Sequence, residues 1–425
     1  MTARDVARRV LERVAKGAWA TPALDGELER ARLADRDRRL ATELVYGVLR
    51  HQLRLDHALA AHADLGRTPP RVVLALRVAA YQILFLRVPG YAAVDDAVDA
   101  ARAAAGPKVG GFVNAVLRKL VAHGEPPRPP GRAGLSIEHS LPAWILDELA
   151  AAVPDAELAA AAAALSATPR IAGRANRRRA DRDAVIAALA AEGATAEPVV
   201  AAAGAEVDLP DAFWVDGLGD PAASPSFRAG LWTVQDTGAQ EVVRLAGVAP
   251  GMRVLDACAG VGGKSTYLAE LADGVAIDAA DSSTTKLGLL ADTARRLGDT
   301  GITPIACDLR DPAAPLAPAY DLIVLDAPCT GLGVIRRHPE AKYRLTSADV
   351  ARMAALQRDL LAALVPRLAP GGTLIYAVCS FTQREAEAQL APLSTLAVDQ
   401  LRRTWPHRTG ADAFFAARLI HRCAI

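Results

Sequence analysis

The sequence predicts an α/β chain whose C-terminal part is a doubly wound, mostly parallel sheet, preceded by an all-α segment and a small α/β connecting region. Three observations predict it. From Pro250 onward, apolar runs of strand length alternate with helical stretches. Successive strands in that part end on an acid, at Asp256, Asp281, Asp308 and Asp326. Residues 1–125, by contrast, contain no convincing strand.

The 425 residues suffice for two or three domains with at least one large core. A net charge of +1 gives no global field for a polyanion, so any basic surface must be local. Cys258, Cys307, Cys329, Cys379 and Cys423 are too scattered for a disulfide framework and lack metal-ligand spacing. A reducing cytoplasm is the expected compartment, with no secretory segment, no membrane, no metal and a monomeric chain. The longest apolar run, Val72 to Leu86, is broken by Arg77 and Gln82 and reads as a core helix.

In chain order, Val6, Val10, Leu11 and Val14 share one helical face, as do Leu40, Leu44, Val45, Val48 and Leu49. Val94, Val98 and Ala101, then Phe112, Val113, Val116, Leu117 and Leu120, continue the pattern of an all-α domain over 1–125. Residues 126–139 are proline-rich and read as an extended linker. A small α/β connecting domain is expected over 140–245, with strands near Ala172 and Leu231 and a helix from Asp183 to Glu192. Arg174, Arg177, Arg178, Arg179 and Arg182 form the densest basic cluster, either an RNA-backbone patch or solvated charges around a turn. The doubly wound domain occupies 246–425, with a terminal strand from Phe414 to Ile420.

Between its first strand (Arg253 to Asp256) and the helix from Thr266 lies the glycine loop Ala259-Gly-Val-Gly-Gly-Lys-Ser265. The spacing fits neither the dinucleotide nor the Walker pattern. The row of acids would repel a pyrophosphate. It suits a sulfonium cofactor with a ribose diol and an adenine amine, so S-adenosylmethionine is the inferred cofactor. Asp281 is the natural ribose acceptor, with Asp278 as a near alternative. Helix capping or pairing with arginine is the competing explanation for any one of these acids.

Two further strands carry the chemistry. Leu322-Ile-Val-Leu ends at Asp326, and Pro328 puts Cys329 in the loop beyond it. Thr373 to Val378 delivers Cys379-Ser380 to the same sheet edge. Two cysteines and an acid there point to covalent chemistry on a flat electrophilic ring. Cys307 and Cys423 are expected to be small buried hydrophobes, and His338 to contact RNA or pack locally.

These residues carry a resemblance. Asp256-Ala-Cys-Ala-Gly-Val-Gly-Gly-Lys-Ser265, Asp326-Ala-Pro-Cys329 with Gly333-Val-Ile-Arg-Arg-His-Pro339, and Tyr376-Ala-Val-Cys-Ser380 are similar to three signatures of the RNA cytosine-5 methyltransferases. The helical front, with Leu44-Val-Tyr-Gly-Val-Leu-Arg50 and Gly111-Phe-Val-Asn-Ala-Val-Leu-Arg118, resembles a NusB-like RNA-binding domain. The whole chain resembles the RsmB (Sun) family, which methylates small-subunit (16S) ribosomal RNA. Val261 stands where that family usually has proline, and after Ser380 only Glu385 survives of its usual Pro-Glu-Glu-Asn.

The resemblance implies a Rossmann-like, S-adenosylmethionine-dependent methyltransferase domain. Its cofactor contacts would be Cys258, Ala259, Gly260, Val261, Gly262, Gly263, Lys264, Asp281, Asp308 and Asp326. Cys379 matches the nucleophile and Cys329 the cysteine that assists product release. Asp326, with Lys264 polarising it, would stabilise the pyrimidine at N3. Arg36, Arg38, Arg39, Arg50 and Arg54 would touch RNA phosphates unless they are a solvated helix face. A transfer-RNA substrate, or a catalytically silent RNA-binding assembly factor, are the alternatives.

Overall fold

The computed structural model describes residues 1–86, 88–200 and 207–421, which fall into two compact units. The first comprises Met1–Ala167 with Ile335–Leu345, the second Thr168–Val334 with Thr346–Ile425. Cys423 lies outside the described residues.

The first unit is helical: α1 (Ala3–Ala15), α2 (Ala20–Ala31), α3 (Asp35–Arg50), α4 (Gln52–Ala60), α5 (Pro70–Phe85), α6 (Gly90–Ala105), α7 (Val109–His123), α8 (Gly131–Glu138), α9 (Ala143–Ala152) and α10 (Leu158–Ser166). Thr2 and Asp5 close a capping box at the start of α1, whose Val6, Val10, Leu11 and Val14 are buried. Central α5 starts on Pro70, where a missing N–H costs nothing, and is buried nearly all round. Its Arg77 is neutralised by Asp56 at 2.7 and 2.8 Å. Gly47 in α3 marks a close approach, because a Cβ there would stand 2.0 Å from the Tyr81 ring of α5. A helix in the proline-rich stretch departs from the extended linker expected there. Its prolines stop at Pro130, and Gly131-Arg-Ala-Gly-Leu-Ser-Ile-Glu is free to coil into α8.

The segment Ile335–Leu345 belongs to this helical unit through its polar groups. Lys342 donates to the Arg50 carbonyl at 2.9 Å, Glu340 accepts the Ala20 N–H at 2.9 Å, and Arg344 donates to the carbonyls of Val14 and Ala18. His338 meets the edge of Trp19 in a T-shaped contact.

Two of the arginines expected on RNA are committed internally. Arg50 is 7% exposed and donates to the Arg336 carbonyl, and Arg54 makes a two-pronged pair with Glu125 at 2.7 and 2.6 Å. Arg36 and Arg39 are exposed, and Arg38 is half-buried beside the Leu28 carbonyl.

The second unit holds two sheets. The smaller is antiparallel, in the order β2-β3-β1-β4, from β1 (Ile171–Ala175), β2 (Thr195–Pro198), β3 (Ala212–Asp216) and β4 (Trp232–Val234). Helices α11 (Arg182–Ala191) and α12 (Pro225–Arg228) accompany it. The larger sheet contains β5 (Arg253–Ala257), β6 (Ala276–Asp281), β7 (Ile302–Ala306), β8 (Tyr320–Asp326), β9 (Leu368–Val378), β10 (Leu396–Arg403) and β11 (Phe415–His421). Their order is β10-β11-β9-β8-β5-β6-β7, parallel from β7 to β9 and antiparallel through β11 and β10. The helices are α13 (Thr237–Ala246), α14 (Gly263–Leu271), α15 (Thr284–Leu297), α16 (Ser347–Leu364) and α17 (Pro406–Thr409).

This is the doubly wound sheet that the alternation from Pro250 predicts. After β5 the chain winds outward through β6 and β7, then returns to β8 on the other side. Such a reversal leaves a crevice at the carboxyl ends of the two strands, here β5 and β8. No helix among the described residues is long and apolar enough to cross a membrane.

Candidate active site

The crevice is a cavity of about 590 Å³, and its wall contains Cys258, Ala259, Gly260, Val261, Gly263, Lys264, Asp281, Asp308, Asp326, Cys329 and Cys379. Every site residue read from the sequence is therefore at this one place except Gly262, which shapes the loop from beneath. Its φ is +85°, and a Cβ would meet the Leu290 side chain at 2.6 Å.

The loop after β5 turns sharply. Cys258 and Gly260 have φ of +63° and +58°, a strained conformation for the cysteine. Asp281, at the end of β6, accepts the N–H of Gly260 at 3.0 Å and that of Ser283 at 2.8 Å. It holds the loop while keeping lone pairs for hydroxyls in the cavity. Asp278, the alternative ribose acceptor, instead accepts the Tyr320 hydroxyl at 2.7 Å and is not part of the wall. Asp308 is gripped two-pronged by Arg310, whose hydrogen bonds and charge hold its carboxyl down at about 2. Asp256 is fully buried and accepts the Ser265 hydroxyl at 2.5 Å; burial pushes its carboxyl up to about 7.

Lys264 donates to Asp326 at 2.5 Å. Burial opposes the ammonium charge, yet Asp326 and Asp256 together raise its pKa above the ordinary value. Burial, reinforced by Asp281, Asp326 and Asp256, drives the Cys258 thiol up, so this side chain stays protonated at neutral pH. Cys307 also reaches the cavity wall, half-buried rather than sequestered as expected.

The two cysteine loops meet. The Sγ atoms of Cys329 and Cys379 are 3.3 Å apart. Backbone pairing brings them together, with Ala327 N–H on the Ala377 carbonyl at 2.8 Å and Gly333 N–H on the Cys379 carbonyl at 3.0 Å. Gly333 is required there, since a Cβ would lie 1.9 Å from the Ala413 carbonyl oxygen. The hydrogen bond to Cys379, then burial and the charges of Cys379 and Glu385, hold the Cys329 thiol well above its ordinary value.

Glu385 ties the loops from behind. Fully buried, it accepts the Thr330 N–H at 2.7 Å and the hydroxyls of Thr330, Ser380 and Thr382 at 2.6, 2.6 and 2.9 Å. The departure from the usual residues after Ser380 leaves this knot intact. Pro328 of the Asp326-Ala-Pro-Cys329 motif, with Leu309, Leu356 and Leu360, which no local motif announced, supplies an apolar wall.

Of the basic cluster, Arg174, Arg178 and Arg179 are turned to internal partners. Arg174 is fully buried against Glu270 at 2.7 Å, Arg178 donates to the Ala269 and Ala272 carbonyls, and Arg179 donates to the Ala229 carbonyl at 2.5 Å. Arg177, exposed, and Arg182, half-buried, each stand 3.7 Å from one carboxylate. Among the described residues no cluster of His, Cys, Asp and Glu is grouped to hold a metal ion.

A doubly wound sheet with a glycine loop, strand-end acids and adjoining thiols at its topological switch defines a group-transfer enzyme of the methyltransferase type. Comparison with known proteins agrees. Residues 245–397 match the family described as 16S rRNA methyltransferase RsmB/F, residues 1–122 the NusB family, and residues 141–208 the RsmF/B-like ferredoxin-like domain. The chain is 34% identical over 400 residues to a probable ribosomal RNA small subunit methyltransferase B from Synechocystis, covering 92% of this chain and 88% of that one. It is 32% identical over 433 residues to ribosomal RNA small subunit methyltransferase B of Escherichia coli, covering 98% of each. Among solved structures, PH0851 superposes with a TM-score of 0.81 at 24% identity over 99% of both chains. NSun6 from Pyrococcus horikoshii superposes with a TM-score of 0.58 at 18% identity, covering 67% of this chain and 99% of that one. The chain belongs to the RsmB/F family of rRNA methyltransferases.

Proposed function

We propose that the chain transfers a methyl group from S-adenosylmethionine to carbon 5 of a cytosine in 16S ribosomal RNA, through a bond between Cys379 Sγ and carbon 6. The observation that carries this reading is the pair of sulfurs 3.3 Å apart in the cavity that also contains the Lys264–Asp326 pair.

The cavity fits the cofactor. It offers the loop from Cys258 to Lys264, the carboxylates of Asp281 and Asp308 for polar edges, and an apolar wall for a ring. When bound, the cofactor supplies a methyl group on a positively charged sulfur. Carbon 5 of cytosine is too weak a nucleophile to take it unaided. Addition of the Cys379 thiolate at carbon 6 pushes the ring electrons toward carbon 5, which would then bond the methyl carbon as that carbon's bond to the cofactor sulfur breaks, with S-adenosylhomocysteine as the leaving group. Asp326, steadied by Lys264, accepts a hydrogen bond from N3–H once the ring has taken up a proton from solvent to balance thiolate addition. The carbon 5 proton then leaves to a base, and the carbon–sulfur bond breaks to restore the ring and the Cys379 thiolate. Cys329, adjacent to Cys379, serves this release step directly or through water.

The target base is single-stranded or flipped out, since carbon 6 must be reached face-on. Arg36 and Arg39 offer phosphate contacts at the helical unit. Two adjacent unpaired thiols need a reducing compartment, which supports a cytoplasmic location. Glu385 knitting both cysteine loops speaks against a silent assembly factor, because such precision serves no purpose without the sulfurs.

The test is incubation of the chain with methyl-labelled S-adenosylmethionine and unmethylated 16S RNA, followed by nucleoside mass spectrometry. The reading expects 5-methylcytidine at a defined position. Label confined to transfer RNA would move the substrate, and label on a ring nitrogen or a ribose would overturn the chemistry.

A further inference from the structure

We infer that Arg174, from the small antiparallel sheet, is a positioning residue for the cofactor loop rather than an RNA contact, acting on the first turn of α14 directly and through Gln235. The inference rests on the reading of the cavity as the S-adenosylmethionine site.

Arg174 has no exposed side-chain surface. Its Nη1 donates to the Gln235 side-chain oxygen at 2.5 Å and to the Gly263 carbonyl at 3.0 Å. Its Nη2 donates to the Thr266 hydroxyl at 3.2 Å and to Glu270 at 2.7 Å, and its guanidinium lies 4.4 Å from the centre of the Tyr267 ring. Gln235 closes the circuit, because its amide nitrogen donates to the same Gly263 carbonyl at 3.0 Å. Gly263 is the first residue of α14, Lys264 follows it, and Gln235 and Gly263 both line the cavity. One carbonyl at the end of the glycine loop is thus pinned by two side chains delivered from the neighbouring sheet.

Stability alone is a poor reason for this arrangement. A buried ion pair seldom outperforms an apolar pair of similar size, and here Arg174 Nε and one Glu270 oxygen have no partner. What an apolar pair cannot do is aim a rigid fork of donors at a loop carbonyl and a glutamine. Lysine, with a point charge on a flexible stem, cannot do so either. Arg174 is not itself part of the cavity wall and lies behind Gln235 and Gly263, which are, so its effect passes through the loop it holds.

The test uses the full chain and S-adenosylhomocysteine as the probe, with affinity read by calorimetry. Arg174→Lys keeps a cation beside Glu270, and Gln235→Leu removes the second pin while sparing the ion pair. Each is expected to weaken S-adenosylhomocysteine binding about tenfold, the loss expected for one or two buried hydrogen bonds. The KM for S-adenosylmethionine should rise by a similar factor with kcat largely kept, and RNA affinity and its salt dependence should not move. Asn176→Ala is the structural control, since Asn176 is buried in the same region and bonds the Gly230 and Leu297 carbonyls away from the loop. It should lower the thermal midpoint and leave the affinity at the wild-type value. Wild-type affinity in folded Arg174→Lys and Gln235→Leu, or a reduced salt slope for RNA in Arg174→Lys, overturns the inference alone. A wild-type chain that binds no S-adenosylhomocysteine overturns the cofactor reading as well.

Discussion

The carboxylate of Glu385 accepts the backbone N–H of Thr330 at 2.7 Å, across fifty-five residues of chain. Thr330 follows Cys329, and Ser380, which bonds the other oxygen of Glu385 at 2.6 Å, follows Cys379. One buried anion therefore sets the distance between two loops that share no sequence neighbourhood. Its full set of donors, Thr330, Ser380 and Thr382 among them, makes the charge tolerable in the core.

Glu385→Ala strips those donors of their acceptor and frees both loops. It should cost about 3 kcal/mol of stability, measured by urea unfolding, because several buried polar groups lose their partner. Methyl transfer should fall about a hundredfold in single-turnover assays, the scale of a displacement of roughly 1 Å at a reacting atom. Glu385→Gln should retain more stability, since its amide oxygen still accepts.

Gly333→Ala tests the same contact from the other loop. The added methyl group would lie 1.9 Å from the Ala413 carbonyl and 2.9 Å from that of Cys379. Backbone must shift to admit it, and a destabilisation of about 2 kcal/mol is expected. Chemical denaturation measures this directly, and a neutral result would mean the loops are looser than the structure has them.

Lys264→Met leaves Asp326 without the ammonium held at 2.5 Å. Turnover should drop by about a hundredfold, the range of a lost acid–base or electrostatic group, with RNA affinity little changed. Steady-state kinetics with RNA and cofactor varied separately distinguish this from a binding defect.

A pH prediction comes from Lys342, buried in the helical unit. Burial, with Arg50 nearby, pushes its ammonium down to about 7. In the unfolded chain the lysine keeps its ordinary value, so between pH 7 and about 10.4 the unfolded state binds more protons and stability rises with pH. Below pH 7 both states are charged and the full burial penalty applies. Lys342→Met should therefore raise the thermal midpoint most below pH 7, with the gain shrinking as pH climbs toward 10. A gain that grows with pH would contradict the assignment.

How far the chain could be read ahead of its structure depends on where the deciding partner lies. Asp326, Cys329 and Cys379 were legible because a buried parallel strand is a short apolar run, and the residues just past its end must sit at the sheet's carboxyl edge. Arg174 was not. A run of arginines looks the same on a surface or in a core, and the partner that buries this one is Glu270, ninety-six residues later. Arg54 was misread for the same reason, its partner being Glu125. β10 escaped because an edge strand carrying Asp399, Gln400, Arg402 and Arg403 has no apolar alternation to show. Helix α8 was hidden by the prolines before it, which set the expectation for residues they do not reach.

In the proposed mechanism Cys379 forms the bond to the base and Cys329, its sulfur 3.3 Å away, releases it. The most direct measurement mixes Cys329→Ala with 16S RNA and S-adenosylmethionine and looks for a protein–RNA species that survives denaturing electrophoresis. This species is expected to accumulate in Cys329→Ala and to be absent from Cys379→Ala and from the double variant. A covalent species in Cys379→Ala, or equal turnover by the wild type and both single variants, would contradict it.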